Sequence, residues 1–415
     1  MLLFAKSLGA SATVLGLLGG MMPLLTIAQI PAAQFIPRVG YKQFVVGGWS
    51  LRVLFIFVMV LIPLGGGFLD NPTRLVLLLA ALFGFNLARG ISSCAWLPWI
   101  THLVPPATRG RYLALDQLCM NFGSGLAFLL AAGLLAVAPA KWGFAVAFLF
   151  SAIMGACSLV FLRRMPDIPV PAEEVHGQGP VPWLTLAGYP PFRRLLQVNF
   201  AWSIAFGGLG TFAVDYLKSG AGFPGDFVLL IMAVSFVGGL CSYALTGSRL
   251  DRLGSKPVLV FAAIAGALTT AGWFAVASHL VRPTWWATAP LTFALGLLNS
   301  VFAAANFRLA SVIVPAMGRT HFFAIFSVVW QLTLGVAPIL WGLLIDALAR
   351  QTIHTGWLEW NRYSWYFALS GVAFLVMWVL AGRLQEPKAA RFEVLMREML
   401  LEPPQQFIVR WLGRF

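Results

Sequence analysis

Three arginines lie inside long apolar runs of this chain, where a charged side chain is costly and usually has a functional reason. Arg89 lies near the middle of one run, Arg308 lies in the corresponding run of the second half, and Arg52 lies in a third. A guanidinium matches the geometry of a carboxylate or a phosphate, so these residues predict an anionic ligand. A structural ion pair, or bonds to carbonyls in a broken helix, is the competing interpretation for each, and we rank Arg52 lowest.

Amide side chains in the same apolar runs add groups that could hydrogen-bond a substrate. They are Asn86, Asn121, Asn199, Asn306 and Gln331. Each is equally suited to a bond with a neighbouring helix. The predicted substrate-binding set is Arg89, Arg308, Asn86, Asn306 and Gln331.

Two carboxylates are candidates for coupling transport to a proton, which needs a titratable group in the pathway. Asp116 lies at one end of an apolar run, and Asp215 lies at the outer end of another. Since neither is deep within a run, the sequence gives proton coupling only modest support.

The sequence contains none of the motifs that mark the common enzyme classes. G-x-S-x-G, a P-loop, a complete G-x-G-x-x-G and H-E-x-x-H are all missing. The four cysteines lie in apolar runs and form no C-x-x-C pair, which favours packing over metal or disulfide roles. We therefore predict a protein that is not an enzyme, binds no metal and needs no cofactor. The missing P-loop also argues against ATP as its energy source.

The composition indicates the environment in which these residues must lie. The chain has 415 residues, of which 60% are hydrophobic and 10% are charged. A soluble domain carries about 25% charged residues, so only a lipid environment suits this surface. The net charge of +14 sits in short loops between apolar runs, which indicates membrane topology and excludes a nucleic-acid-binding protein.

Eleven runs are long enough to span a bilayer as helices, which needs roughly 20 residues each. They are 11–36, 43–65, 75–103, 112–137, 142–162, 192–217, 227–248, 257–279, 286–314, 321–346 and 363–382. The domains predicted from them are an N-terminal bundle (1–162), a polar linker (163–191), a C-terminal six-helix bundle (192–384) and a tail (385–415). The apolar face of residues 392–400 predicts an amphipathic helix on the membrane surface.

Most Lys and Arg residues outside these runs lie on the side that bears the linker and the tail. By the positive-inside rule, that side is cytoplasmic. We therefore expect a multi-pass protein of a bacterial inner (plasma) membrane, with the linker and C-terminus in the cytoplasm.

The two halves of the chain look like copies of each other. Arg38, Gly40 and Lys42 match Arg252, Gly254 and Lys256 at a constant offset, and Val104 to Ala114 match Val314 to Ala324 in a second loop. Duplicated halves joined by a linker are typical of transporters whose substrate site lies between the repeats.

The segment from Gly247 to Lys256 resembles the loop motif of the major facilitator superfamily, Gly-x-x-x-Asp-Arg-x-Gly-x-Lys/Arg. The resemblance implies an all-α fold of two bundles, here with five and six spans, that works as a secondary transporter. It also implies a gating role for the loop residues, which are Asp251, Arg252, Gly254, Lys256, Arg38, Gly40 and Lys42. In the first copy Ala33 and Pro37 replace the Gly and the Asp, which puts the gating contact of that loop in doubt.

The repeat also predicts a helix that is not among the eleven runs. A full run precedes Lys218, whereas almost nothing precedes its counterpart Lys6. We favour a start site placed too far downstream, with true loss of the helix as the alternative.

These patterns predict a secondary transporter that moves a small organic, anionic solute by alternating access. A non-transporting assembly factor or structural subunit with the same fold is the first alternative, and a flippase for lipids or amphiphiles is the second. The expected partners are a small-molecule substrate and membrane lipids, but no nucleic acid. The sequence leaves a monomer and a subunit of a larger complex equally open.

Overall fold

The apolar runs fold as α-helices, because a helix satisfies its backbone hydrogen bonds where lipid offers none. A computed structural model describes residues 1–138, 140–169, 189–313, 319–356, 358–386, 389–390 and 392–401. The side chains at 97, 101, 106–111, 113–114, 140–141, 243–249, 251, 319–324 and 398–401 lie outside that description. In the described residues, eleven helices are long and apolar enough to cross a membrane, which confirms the predicted fold class.

In the described residues, the first half of the chain contains eight α-helices, of which four are long and unbroken, and a 3-10 turn at Gly65–Gly67. They are α1 (Leu2–Ser7), α2 (Ala12–Thr26), α3 (Gln29–Ala33), α4 (Ile36–Val39), α5 (Tyr41–Leu64), α6 (Asn71–Leu103), α7 (Pro106–Val137) and α8 (Ala140–Arg164). The first predicted span is therefore a broken one, in which α2 runs into α3. The side chain of Asp70 caps α6 by accepting from the backbone N–H of Thr73, and the hydrogen bonds with Thr73 lower the pKa of this carboxyl group.

The described residues of the second half form eight more α-helices, a π-helical turn at Tyr216–Gly220 and one short hairpin. They are α9 (Pro190–Phe206), α10 (Leu209–Asp215), α11 (Gly225–Leu253), α12 (Ser255–Ala277), α13 (Trp285–Ile313), α14 (Arg319–Ala347), α15 (Arg362–Gly382) and α16 (Phe392–Leu401), with strands β1 (Ile353–Thr355) and β2 (Leu358–Trp360). The strands pair antiparallel, with Ile353 opposite Trp360. Helices α8 and α9 each extend two residues into the predicted linker.

Successive spans alternate in direction, so their ends define two faces of the molecule. The linker face carries the end of α8 and the start of α9, and the hairpin face carries β1 and β2. Helices α5, α9, α12 and α14 begin at the linker face, whereas α2, α6, α11, α13 and α15 begin at the hairpin face.

The long helices pack as two groups, which are the two halves of the sequence. In the first half, α5 packs against both α6 and α8, and α2 packs against α6. In the second half, α13 lies between α11 and α12, while α15 contacts α12 and α9. The halves meet where α2 packs against α14 and where α7 packs against α11.

The repeat seen in the sequence has a structural counterpart at two glycines. Gly40 immediately precedes α5 with φ +85°, and Gly254 immediately precedes α12 with φ +91°. Both angles lie in the left-handed region that only glycine adopts without strain. Each glycine thus allows the chain to turn sharply at the linker face between two antiparallel spans.

The tail helix α16 lies at the linker face and packs against the second bundle. Its contacts are with α12, and Leu395 is only 3% exposed within the core of the second half. The apolar face that the sequence assigned to the membrane surface is therefore partly buried against the bundle. Residues 402–415 and most of the linker lie outside the described residues.

Candidate functional site

The interior of the first half holds two arginines at mid-span, one on α5 and one on α6. Arg89 is half-buried, and its Nη1 lies 3.2 Å from the sulfur of Met22 on α2. The guanidinium of Arg52 lies over the ring of Trp49 at 4.0 Å and over that of Phe85 at 5.0 Å. Neither guanidinium has a carboxylate partner within the described part of the chain.

The amides predicted to assist Arg89 are placed differently from one another. Asn86 is buried on α6, where its Nδ2 donates to the carbonyl of Leu82 one turn earlier. Gln331 is half-buried on α14, one turn from Gly335, and makes no hydrogen bond among the described residues. Helix α2 lies between α6 and α14, so the structure places Gln331 in the second half of the molecule, across α2 from Arg89.

Arg308 lies at the linker face, with partners from its own half of the molecule. Its Nη1 donates to Oε1 of Glu386 at 2.6 Å and to the hydroxyl of Ser255 at 3.1 Å. The Glu386 carboxylate also accepts from the backbone N–H groups of Ser255, at 2.8 Å, and of Lys256, at 2.7 Å. Glu386 therefore caps the N-terminus of α12 and ties Arg308 to it, with a side chain only 2% exposed.

This cluster includes the second copy of the gating loop. Gly254 approaches the Glu386 carboxylate closely, while Lys256 is half-buried and Arg252 is exposed. The side chain of Asp251 lies outside the described residues. In the first copy, Arg38 is exposed at the linker face and Lys42 is half-buried.

Asn306 forms a fully buried amide pair with Asn199, across α13 and α9. Each Nδ2 donates to the other's Oδ1, at 2.9 and 2.6 Å. Next to this pair, Trp202 stacks on Phe302 at a centroid distance of 3.8 Å and meets Phe374 edge-on. The interior of the second half is therefore filled by amides and aromatic rings, in contrast to the two cations of the first half.

Asp215 joins the two halves at the hairpin face. Its Oδ1 lies 2.7 Å from Nζ of Lys6 in α1, and its Oδ2 accepts from the hydroxyl of Tyr363 at 3.0 Å. The Asp215 side chain is only 1% exposed, whereas Lys6 is 22% exposed. Asp116, the other coupling candidate, lies half-buried on α7 and is not part of this contact.

A second carboxylate joins the halves at the same face. Asp346, near the end of α14, accepts from the backbone N–H groups of Ala12 and Thr13 at 2.9 and 2.8 Å, and from the Thr13 hydroxyl at 2.6 Å. It thus caps α2 from the opposite half of the molecule. We call the Lys6–Asp215 pair and the Asp346 cap the hairpin-face latch.

Glycines let α2 and α14 approach closely below this latch. A Cβ at Gly16 would lie 2.2 Å from the carbonyl oxygen of Pro338, and one at Gly20 would lie 2.0 Å from that of Gly335. Because such distances are too short for any side chain, backbone meets backbone along this seam. The seam extends inward from the latch toward Leu24, which contacts Gly335.

A cavity of about 910 Å³ opens on the linker face of the second half. Lys256, Glu386 and Glu393 line it together with apolar residues of α12, α13 and α16. It is separate from Arg89 and from the seam between the halves.

The sequence did not identify several residues that the structure places at these contacts. Lys6 was noted only as part of a repeat, Asp346 as the end of a span, and Glu386 not at all. Each acts on a partner far away in the chain, so no local pattern signals its role. One feature of the sequence could have indicated Glu386: it is a carboxylate four residues after position 382, where the last predicted span ends.

Two bundles of antiparallel spans, related by an internal repeat and meeting along α2–α14 and α7–α11, define a membrane transporter of the two-bundle class. The model of the Major Facilitator Superfamily matches residues 1–278 and 225–409. The chain therefore belongs to the major facilitator superfamily.

Solved transporters share this fold at low sequence identity. The inward-open xylose transporter XylE from E. coli is 17% identical with a TM-score of 0.68, over 95% of this chain and 91% of that one. A bacterial homologue of the iron transporter ferroportin in an inward-facing state is 13% identical with a TM-score of 0.66, over 92% and 93%. A single-residue mutant of the nucleoside transporter NupG is 13% identical with a TM-score of 0.66, over 93% and 94%. A comparison with curated proteins finds no match.

Proposed function

We propose that this transporter carries a small organic anion, and that Arg89 is the principal ligand for its negative charge. The observation that carries the proposal is the environment of Arg89 at mid-span. Among the described residues, its guanidinium donates one hydrogen bond, to the weakly accepting sulfur of Met22, and forms no ion pair with a carboxylate. A cation in this position is costly until an anion joins it, because the membrane interior solvates charge poorly.

Alternating access in this proposal depends on the hairpin-face latch. The latch and the glycine seam hold the two halves together on the hairpin side of Arg89, and we propose that solute enters this resting state from the linker face. Opening the hairpin face requires Lys6 to leave Asp215 and α2 to leave Asp346. The gating role of Arg38, Gly40, Lys42, Asp251, Arg252, Gly254 and Lys256 remains a proposal that rests on the family resemblance.

The other members of the predicted site divide into two groups. Asn86 and Gln331 remain proposed substrate contacts, because neither bonds to a side chain in the described residues. For Arg308 and Asn306, we propose structural roles instead, because Glu386 and Asn199 already satisfy them within the second half. Asp215 is the better candidate for coupling, since it is buried and paired with Lys6 across the halves, whereas Asp116 has no described contact across the halves.

The proposed orientation places the linker face in the cytoplasm of a bacterial inner membrane. It rests on the excess of Lys and Arg at that face. Access from the linker face in the resting state would then be access from the cytoplasm.

Ligand-dependent thermal stability of the purified protein tests the proposal. An anion that binds the folded state raises the unfolding midpoint by mass action. We expect stabilisation by at least one small organic anion for the native protein and none for Arg89→Gln. Arg74→Gln is the matched control, because Arg74 lies on the same helix but bonds carbonyls of Ile62 and Pro63 at the hairpin face. Stabilisation by neutral solutes alone, unchanged in Arg89→Gln, would contradict the proposal.

A further inference from the structure

Arg52 and Arg89 lie at the same depth on adjacent antiparallel helices. A Cβ at Gly48 of α5 would meet Ser92 of α6, and a Cβ at Gly84 of α6 would meet Phe55 of α5. Between these two contact points, Arg52 faces the turn of α6 that carries Arg89. Packed helices lie about 8–10 Å apart, so both guanidiniums reach one small volume.

The side chain of Arg52 is held in place by the helices around it. Trp49, which lies 4.0 Å beneath its guanidinium, donates its indole N–H to the hydroxyl of Ser158 on α8 at 2.7 Å. The ring of Phe85 covers a second side of the guanidinium. The Nε of Arg52 is sealed from water and has no hydrogen-bond partner, which leaves a buried donor unsatisfied.

The two guanidiniums repel each other, and no carboxylate among the described residues pairs with either of them. A single negative charge on a ligand would neutralise one of them and leave the other buried and unpaired. A ligand with two negative charges would neutralise both, and each guanidinium could bind a carboxylate or phosphate through its planar set of donors.

We propose that the solute is a small organic dianion, a dicarboxylate or a phosphate monoester, and that Arg52 determines this preference. The inference rests on the proposed function, in which Arg89 binds an anion. It adds that the anion carries a second negative charge, which Arg52 binds. Arg89 holds one anionic group on the side nearer α2, and Arg52 holds the other on the side nearer α8. Monoanions then bind through Arg89 alone, and neutral analogues do not bind.

A charge series on one carbon skeleton tests the proposal. Binding to the purified protein is measured by calorimetry for succinate, monomethyl succinate and dimethyl succinate, which carry two, one and no negative charges. Glycerol 3-phosphate, with glycerol as its neutral counterpart, separates a phosphate ligand from a dicarboxylate, and oxalate, malonate and glutarate cover other spacings. The variants are Arg52→Gln, Arg52→Lys and Arg89→Gln, with Arg74→Gln as the control.

For the native protein, we expect a dianion to bind about 10- to 100-fold more tightly than its monoanion, which is the usual effect of one charge-assisted pair. Arg52→Gln should remove this preference and leave monoanion binding intact, whereas Arg89→Gln should abolish both. Arg52→Lys keeps the charge and should retain part of the preference, so it reports on the site if the Gln variant does not fold.

Three results would overturn the inference. If monomethyl succinate binds as well as succinate and Arg52→Gln changes neither affinity, the second charge is not recognised, while the proposed anion transporter stands. If no dianion binds but a monoanion does, the conclusion is the same. If only neutral solutes bind, the substrate is not an anion, and the proposed function fails together with this inference.

Discussion

Nζ of Lys6 lies 2.7 Å from Oδ1 of Asp215, and this ion pair fastens the start of the chain to the opposite half of the transporter. Asp215 is almost fully buried, and although Tyr363 also donates to it, the ion pair that balances its charge lasts only while α1 stays in place. The contact lies at the hairpin face, where the halves must separate for solute to leave on that side.

Removing Lys6 should cost more stability than removing the charge of Asp215. Lys6→Met leaves a buried carboxylate unpaired, which typically costs about 3–5 kcal/mol. Asp215→Asn leaves only a partly exposed ammonium, which can turn toward water. Chemical denaturation of the two variants in detergent measures the difference. The double variant should be more stable than Lys6→Met alone, and a double variant that loses the sum of both effects would argue against the pair.

Removing the Asp346 cap should open the hairpin face. Asp346→Ala leaves the first N–H groups of α2 without their acceptor, a loss of about 0.5–2 kcal/mol for an N-cap. This loss falls on the closed state, because the cap crosses between halves. Spin labels at Phe68 and Ile353, both exposed on the hairpin face, should therefore move apart. Double electron–electron resonance spectroscopy measures the distance between them.

Asp70→Ala is the matched control for that prediction. Asp70 also caps a helix at the hairpin face, but α6 and its cap belong to the same half. The variant should therefore leave the label distance unchanged. An equal increase in both variants would show that the distance reports on general loosening and not on the latch.

A methyl group at Gly20 should prevent the halves from closing along α2 and α14. A Cβ there would lie 2.0 Å from the carbonyl oxygen of Gly335, so the helices must separate, at a cost of about 1–3 kcal/mol for overpacking. We expect Gly20→Ala to increase the label distance and slow transport. Gly47→Ala, in open space on α5, is the control and should do neither. Wild-type transport by Gly20→Ala would count against the seam.

Glu386 should support the fold of the second half without binding the solute. Glu386→Gln weakens the cap of α12 and removes the ion pair between Glu386 and Arg308, so we expect a loss of about 1–3 kcal/mol. Substituting both residues, Arg308→Met with Glu386→Leu, should recover part of this loss and keep ligand affinity unchanged. If Arg308→Met with Glu386→Leu abolishes ligand binding while remaining folded, Arg308 belongs to the substrate site after all.

The spans and the repeat could be predicted from the sequence because both depend on local patterns. Lipid exposure requires long apolar runs, and the turn at the linker face requires glycine at Gly40 and Gly254, whatever the rest of the chain does. These constraints act over a few residues, so they are visible in a single sequence. The break between α2 and α3 is subtler, since Pro23 and Pro31 indicate disruption but not where the helix ends.

The pairing of polar residues could not be predicted, because it depends on which helices become neighbours. Asn199 and Asn306 were both recognised as polar groups in apolar runs, but only the packing of α9 against α13 shows that each satisfies the other. Arg308 was assigned to a substrate site because it lies in an apolar run. Its partner Glu386 lies 78 positions away in the chain, so the sequence does not show that the two residues pair. Arg52 was ranked lowest, and its alignment with Arg89 could not be seen in the sequence, because it depends on the register between α5 and α6.

Solute uptake into proteoliposomes tests the central claim most directly. The protein is reconstituted into proteoliposomes of neutral lipid that contain unlabelled succinate or glycerol 3-phosphate. The entry of the same anion in labelled form, in exchange for the unlabelled anion inside, is then measured. The account predicts exchange of at least one anion by the native protein, its loss in Arg89→Gln and its retention in Arg74→Gln. Exchange of neutral solutes only, or anion exchange that is undiminished in Arg89→Gln, would contradict it. No exchange of any solute by a folded protein would instead favour a non-transporting subunit with this fold.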